Sequence, residues 1–392
     1  MLRSRSIMES VVVFFFLSLP LTFANGQQAA SGSQTSVSSP APTQSSQQAP
    51  NGTASSTTAP NQPPDLSDIL EKQASADKGY TAKDGKTGAT AARPLEDWNT
   101  LTIPPGLDFD KSSVDSSDFP EYTKELVRLE WRTGDPVELW VMKPVGVKNP
   151  PVILYLYSYP STNQRYYNNE YCKFLIKNGF AAAGFVSALN GPRFVARPMK
   201  EWFVSDLQEA LATTVHDVQL ILNYLAQRGD MDMSRVGMFG DGSGASIALM
   251  AAAVDPRIKV LDLLDPWGDW PDWLAKSAMV PDDERPTYLK PEFLKNVENL
   301  DPVKWLPELK DRRVRLQQIE DVKVTPGVVR ERIEAVAPKN VEMVHYATTK
   351  EFISSVSRTG KGFDWIKAQL SSLPAQTSEA RTQSGQTQRS PQ

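Results

Sequence analysis

The chain has 392 residues, 40% of them hydrophobic, with 42 basic against 46 acidic side chains and a formal net charge of -4. That balance excludes a dedicated nucleic-acid binder, which needs a basic footprint. One cysteine, Cys172, excludes an intramolecular disulfide, and with two histidines beside it no metal constellation is visible.

Residues 1–26 read as a secretory signal peptide. Arg3 and Arg5 precede an apolar run from Val11 to Ala24, shorter than the ~20 residues that span a bilayer, and small residues follow it. An uncleaved anchor is the alternative. Residues 27–93 form a linker. As far as Pro64 it is almost wholly Ser, Thr, Ala, Pro, Gln, Gly and Asn, with no charge. Such a stretch cannot bury enough apolar surface to offset its conformational entropy, so a disordered tether is expected. Residues 374–392 read as a polar tail. The expected destination is the periplasm or the cell exterior, with no stable membrane insertion after cleavage. The oligomeric state is not legible.

Residues 94–373 carry the folded domain. Leu126 to Trp131 and Val137 to Met142 flank Gly134-Asp135 as a hairpin. Val152 to Tyr157 is a continuous apolar run of the kind buried on both faces. A helix near Glu170 to Asn178 leads to a second buried strand, FAAAGFVS. Helix Val204 to Gln227 carries an apolar stripe and places His216 opposite it, toward solvent. Strand Val236 to Phe239, helix Gly244 to Val254 and strand Val260 to Leu264 follow. Residues of about 266–310 are rich in Pro and Trp and read as a lid-like insertion of loops and short helices. Strands Val314 to Ile319 and Val341 to Tyr346, each with a helical pattern after it, and a last helix near Phe363 to Leu370 complete the order. Alternating strands and helices predict an α/β fold, a doubly wound and mostly parallel sheet.

The segment SRVGMFGDGSGASIALMAAAV, from Ser234, runs from a buried strand through a tight glycine turn into an Ala-rich helix. Here the chain resembles the α/β-hydrolase family, and within it the dienelactone-hydrolase, prolyl-oligopeptidase and acetylxylan-esterase types. The resemblance covers nearly all of the folded region. It implies a Gly-x-Ser-x-Gly nucleophile elbow. Gly240 and Gly244 stand at the flanks, and Gly242 stands at the nucleophile, where it offers no oxygen. Ser243 is adjacent but out of frame, with Asp241 crowding the turn. The resemblance implies a histidine after the last strand, and the matching position is Lys350. His345 lies about five residues too early, inside the strand. It implies an acid after the strand VRLQQI, where Asp321 is the nearest candidate and a surface turn is its other reading. The oxyanion loop, commonly His-Gly, is Tyr157-Ser158, whose backbone N–H groups remain available.

Three altered triad positions lead to the main expectation, a catalytically impaired hydrolase-fold protein whose pocket still binds a small-molecule ligand. Trp267, Trp270 and Trp273 are candidates for that pocket's wall, or for packing of the insertion. Arg193 is a candidate for meeting an anionic group. One alternative is an active esterase or peptidase with Ser243 as a displaced nucleophile, using Asp321 and His345. The other is a dinucleotide-binding protein, since Gly240-Asp241-Gly242-Ser243-Gly244-Ala245 fits G-x-G-x-x-G/A, with Asp262 or Asp265 about twenty residues on. No cofactor is expected under the first two readings.

Overall fold

The computed structural model describes residues 101–103, 107–132, 135–159, 161, 163–188, 207–359 and 362–375. The segments read as signal peptide, linker and tail, and Arg193, lie outside the described residues. The strands are β1 (Asp110–Asp118), β2 (Tyr122–Glu130), β3 (Val137–Pro144), β4 (Pro151–Leu156), β5 (Ala181–Phe185), β6 (Asp232–Asp241), β7 (Ile258–Leu264), β8 (Arg313–Ile319) and β9 (Glu342–Tyr346). They form one sheet in the order β1-β2-β3-β5-β4-β6-β7-β8-β9. The first three strands and the β3–β5 pair are antiparallel, and every pairing from β5 through β4 to β9 is parallel.

The parallel part is covered on both faces, which explains its unbroken apolar runs. Successive side chains of β4 point to opposite sides. Leu154 and Leu156 join the core beneath α2 (Leu207–Arg228) and α3 (Ser243–Val254). Ile153 and Tyr155 join the core beneath α1 (Asn169–Ile176), which also buries Cys172. The Pro/Trp-rich stretch forms α4 (Trp270–Lys276), α5 (Arg285–Tyr288), α6 (Pro291–Val297) and α7 (Pro302–Trp305), and α7 packs on α3. α8 (Gly327–Val336) follows β8, and α9 (Thr349–Thr359) follows β9. α10 (Asp364–Ser371) closes the second face over β6 and β7.

Two expectations are corrected. His216 is buried at 4% exposure, with its ring edge-on to Trp131 at 5.7 Å. The outer side of α2 is not solvated, because Gln219 bonds the backbone of Leu101 and Ile103, and Asp217 accepts from the Trp131 indole. β1 (DKSSVDSSD) was not expected, since Val114 is its one apolar residue and it has no alternation to read. Its backbone hydrogen bonds to β2 hold it at the sheet edge.

α3 can lie against the sheet only at glycines. A Cβ on Gly244 would overlap the carbonyl oxygen of Leu156 and stand 2.8 Å from its carbon. A Cβ on Gly240 would come 2.5 Å from the Ala245 Cα. Both obstacles are backbone and cannot swing aside. Gly244→Ala is therefore expected to destabilise the domain by about 3 kcal/mol, in the overpacking range. Urea unfolding checks this, and a loss below about 0.5 kcal/mol, the ordinary surface-substitution range, contradicts the packing described.

Candidate functional site

Register brings the C-terminal ends of three strands together. Leu156 of β4 pairs with Gly240 of β6, and Asp241 pairs with Leu264 of β7. Tyr157-Ser158, Asp241-Gly242-Ser243 and Asp265 therefore meet at one edge of the sheet. Gly242 makes the turn with φ 53° and ψ -117°, and its N–H bonds the carbonyl of Leu264 at 2.8 Å. This is strained backbone for an L residue and free for glycine.

The space beside Gly242 is filled from within the chain. A Cβ there would collide with Ser158 Oγ, stand 2.8 Å from Ser158 Cβ and 3.1 Å from the Trp267 indole nitrogen. Rotating the Ser158 hydroxyl away would leave the contact with its Cβ. The neighbouring N–H groups are occupied too. Tyr159 N donates to Ser243 Oγ at 2.9 Å, Ser243 N points at Ser158 Oγ at 3.4 Å, and Ser158 N serves the Asp241 carboxylate. Ser158 and Ser243 are 1% and 0% exposed.

The remaining triad-equivalent positions lie nearer the surface. Asp321 is exposed and accepts from Thr349 N and Oγ1, both at 2.8 Å, so it tethers the start of α9. Lys350 is the next residue, also exposed. The loops after β8 and β9 thus meet, but they bring an aspartate and a lysine together. His345 stays on β9, opposite Gln318, and faces Glu334 at 3.7 Å. Three strand pairings separate β9 from β6, on the order of 14 Å at the usual strand spacing. Trp267, Trp270 and Trp273 are buried, with Trp267 stacked on Trp273 at 4.8 Å and the Trp270 indole donating to Leu300 O.

The glycine fingerprint offers no cradle for a pyrophosphate. The room left by its glycines is taken by Ala245, Ser158 and Leu156. Asp262 is fully buried and spent on Arg315 at 2.6 Å and Gln317 at 2.7 Å. Asp265, the other acid of that reading, accepts from Ile319 N at 3.1 Å.

No family model and no curated protein matches the sequence. Solved structures do match its fold. Acetyl xylan esterase 1 from Thermoanaerobacterium sp. JW/SL YS485 superposes with a TM-score of 0.51 at 15% identity, over 64% of this chain and 86% of that one. An acetyl xylan esterase from Paenibacillus sp. R4 gives 0.51 at 17% identity, over 68% and 90%. The chain has the α/β-hydrolase fold. The turn at Gly242 and the loop holding Ser158 are the positions expected from the sequence for the elbow and the oxyanion loop.

Two acids beside this turn, Asp241 and Asp265, entered the sequence reading only through the glycine fingerprint, which carried no sign of their burial. Burial pushes the Asp241 carboxyl up to about 7, against the pull of Arg165 and of the Ser158 N–H. Burial likewise raises Asp265 to about 7, opposed by the Ile319 N–H and by Arg330, and helped by the charge of Asp241. Both native values lie above the ~3.9 of an unfolded aspartate. Their protonated forms therefore stabilise the fold fully below about pH 4, and that contribution is lost as pH rises through about 7. Unfolding free energy is expected to fall between pH 5 and pH 8, by roughly 2 kcal/mol per pH unit near pH 6 with both acids contributing. Asp241→Asn should flatten the fall. Chemical denaturation across this range checks it, and stability that rises from pH 5 to pH 8 is the contrary result.

Proposed function

We propose that this protein is an exported α/β-hydrolase-fold protein that binds a small molecule at the elbow region and does not hydrolyse it by the Ser-His-Asp route. The observation that carries the reading is the filled elbow. Residue 242 has no oxygen, and Ser158 occupies the room a nucleophile would need. An oxyanion hole works only if its donors are free and aimed at the developing charge. Here the N–H groups of residues 158, 159 and 243 are bonded inside the chain.

Ser243 as a displaced nucleophile is the weaker reading. Its hydroxyl is buried and accepts from Tyr159 N, and among the described residues no histidine hydrogen-bonds it. A serine so held has neither a base to take its proton nor a path to a substrate. Export rests on the charged start and short apolar run of residues 1–26. A destination in the periplasm or outside the cell follows from the same feature.

Purified protein is expected to turn over p-nitrophenyl acetate no faster than the protein-free buffer and to resist fluorophosphonate labelling. Gly242→Ser alone should not restore turnover, because the new side chain meets Ser158. Labelling that vanishes in Ser243→Ala or Ser158→Ala would overturn the reading.

A further inference from the structure

We propose that Arg165, beside the elbow, heads a recognition site for a ligand bearing a single carboxylate. The proposal deepens the binding reading above by naming the chemistry of the ligand. Arg165 lies on a short 3-10 turn, Asn163–Tyr167, that follows the oxyanion loop. Its guanidinium stacks on the Tyr157 ring at 3.5 Å and donates to Ser161 Oγ at 3.3 Å. Arg165, Ser161 and Tyr171 are all partly exposed, so solvent reaches the cluster.

The described residues offer the charge on Arg165 no direct counter-ion. Arg228, Arg235, Arg257 and Arg315 each hold a carboxylate, at 2.7, 2.7, 2.5 and 2.6 Å, whereas the partly buried Arg313 and Arg330 spend their donors on carbonyl, amide or hydroxyl oxygens. Among the described residues no carboxylate lies at ion-pair distance from Arg165. Asp241 feels its charge, yet that carboxyl is bonded to Ser158 N and burial favours its neutral form. Stacking on Tyr157 is worth about 0.5–2 kcal/mol and leaves the charge in place. Neutral partners, the Ser161 hydroxyl and the Tyr157 and Tyr171 phenols, hold the guanidinium without neutralising it, and a partly buried charge left so is costly to keep.

The phenols beside it supply a second donor. Tyr157 and Tyr171 hydrogen-bond through their hydroxyls. Two phenols carry two protons, and the bond between them uses one. One O–H remains to donate, next to a planar guanidinium. A carboxylate has two oxygens for such a pair of donors. The site holds one positive charge, which balances a monoanion and leaves a dianion's second charge without a partner. A monocarboxylate fits where a phosphate does not.

Calorimetric titration of the full chain at constant ionic strength tests this with benzoate, its neutral isostere benzamide, and inorganic phosphate. Benzoate is expected to bind saturably with a millimolar Kd, and benzamide and phosphate about tenfold more weakly or not at all. Arg165→Gln should weaken benzoate about tenfold, and Arg165→Lys should restore only part of it. Tyr171→Phe, which keeps the ring, should weaken it a few-fold. Phenylglyoxal modification of the unmutated chain gives a readout that needs no variant, with benzoate expected to protect Arg165. Equal affinity for benzamide, phosphate bound as tightly as benzoate, no saturable binding, or unprotected Arg165 each overturns the proposal. Ester turnover is a separate readout, so failure here is distinguishable from failure of the non-hydrolytic reading.

Discussion

α3 approaches β4 and β6 more closely than two side-chain-bearing surfaces allow. The approach is set at Gly244, where the Leu156 carbonyl lies in the room a Cβ would take, and at Gly240, where Ala245 does the same. Everything at the functional edge depends on it. Close packing forces the chain to reverse within one residue, at Gly242, with positive φ. It also brings the first turn of α3 against the loop after β4. In an enzyme built this way, such strain holds a nucleophile out toward substrate. Here the same strain is relaxed by a glycine, and the freed space is closed by the neighbouring loop.

The closure is polar as well as steric. Tyr159 N donates to Ser243 Oγ, Ser243 N points at Ser158 Oγ, and Ser158 Oγ donates to the Tyr159 carbonyl. Buried polar groups need partners, and a network satisfied internally has nothing left to offer a transition state. Asp241 and Asp265 sit in the same dry layer, which is why both favour the protonated form. Arg165 stands at the margin of that layer, with no carboxylate at ion-pair distance among the described residues. The edge therefore combines a closely packed interior with a cation beside it that neutral groups hold, and the proposed binding of an anion rests on that combination.

What was legible in the sequence follows from which forces are local. The parallel strands were legible because burial on both faces leaves unbroken apolar runs. The elbow was legible because glycine spacing is dictated by backbone contacts a few residues away. β1 was not, since its DKSSVDSSD is held by backbone pairing alone and carries no burial pattern. His216 was misplaced because the stripe on α2 says nothing of residues 101–103 and Trp131, which cover its other side. The meeting of Ser158 with Gly242, 84 positions along, has no local signature. Nor does the stacking of Arg165 on Tyr157. Both are products of strand order, which places the loop after β4 beside the turn after β6.

The central claim is that residues 158 and 242 compete for one space, and a double-mutant cycle measures that competition directly. Gly242→Ser and Ser158→Gly would be made singly and together, and each unfolding free energy determined. If Ser158 fills the elbow, Gly242→Ser costs backbone strain plus overlap in the native background and strain alone once Ser158 is glycine. The expected coupling is at least about 1 kcal/mol, in the sense that the double variant is more stable than the sum of the two costs. Additive costs, within about 0.5 kcal/mol, would contradict it.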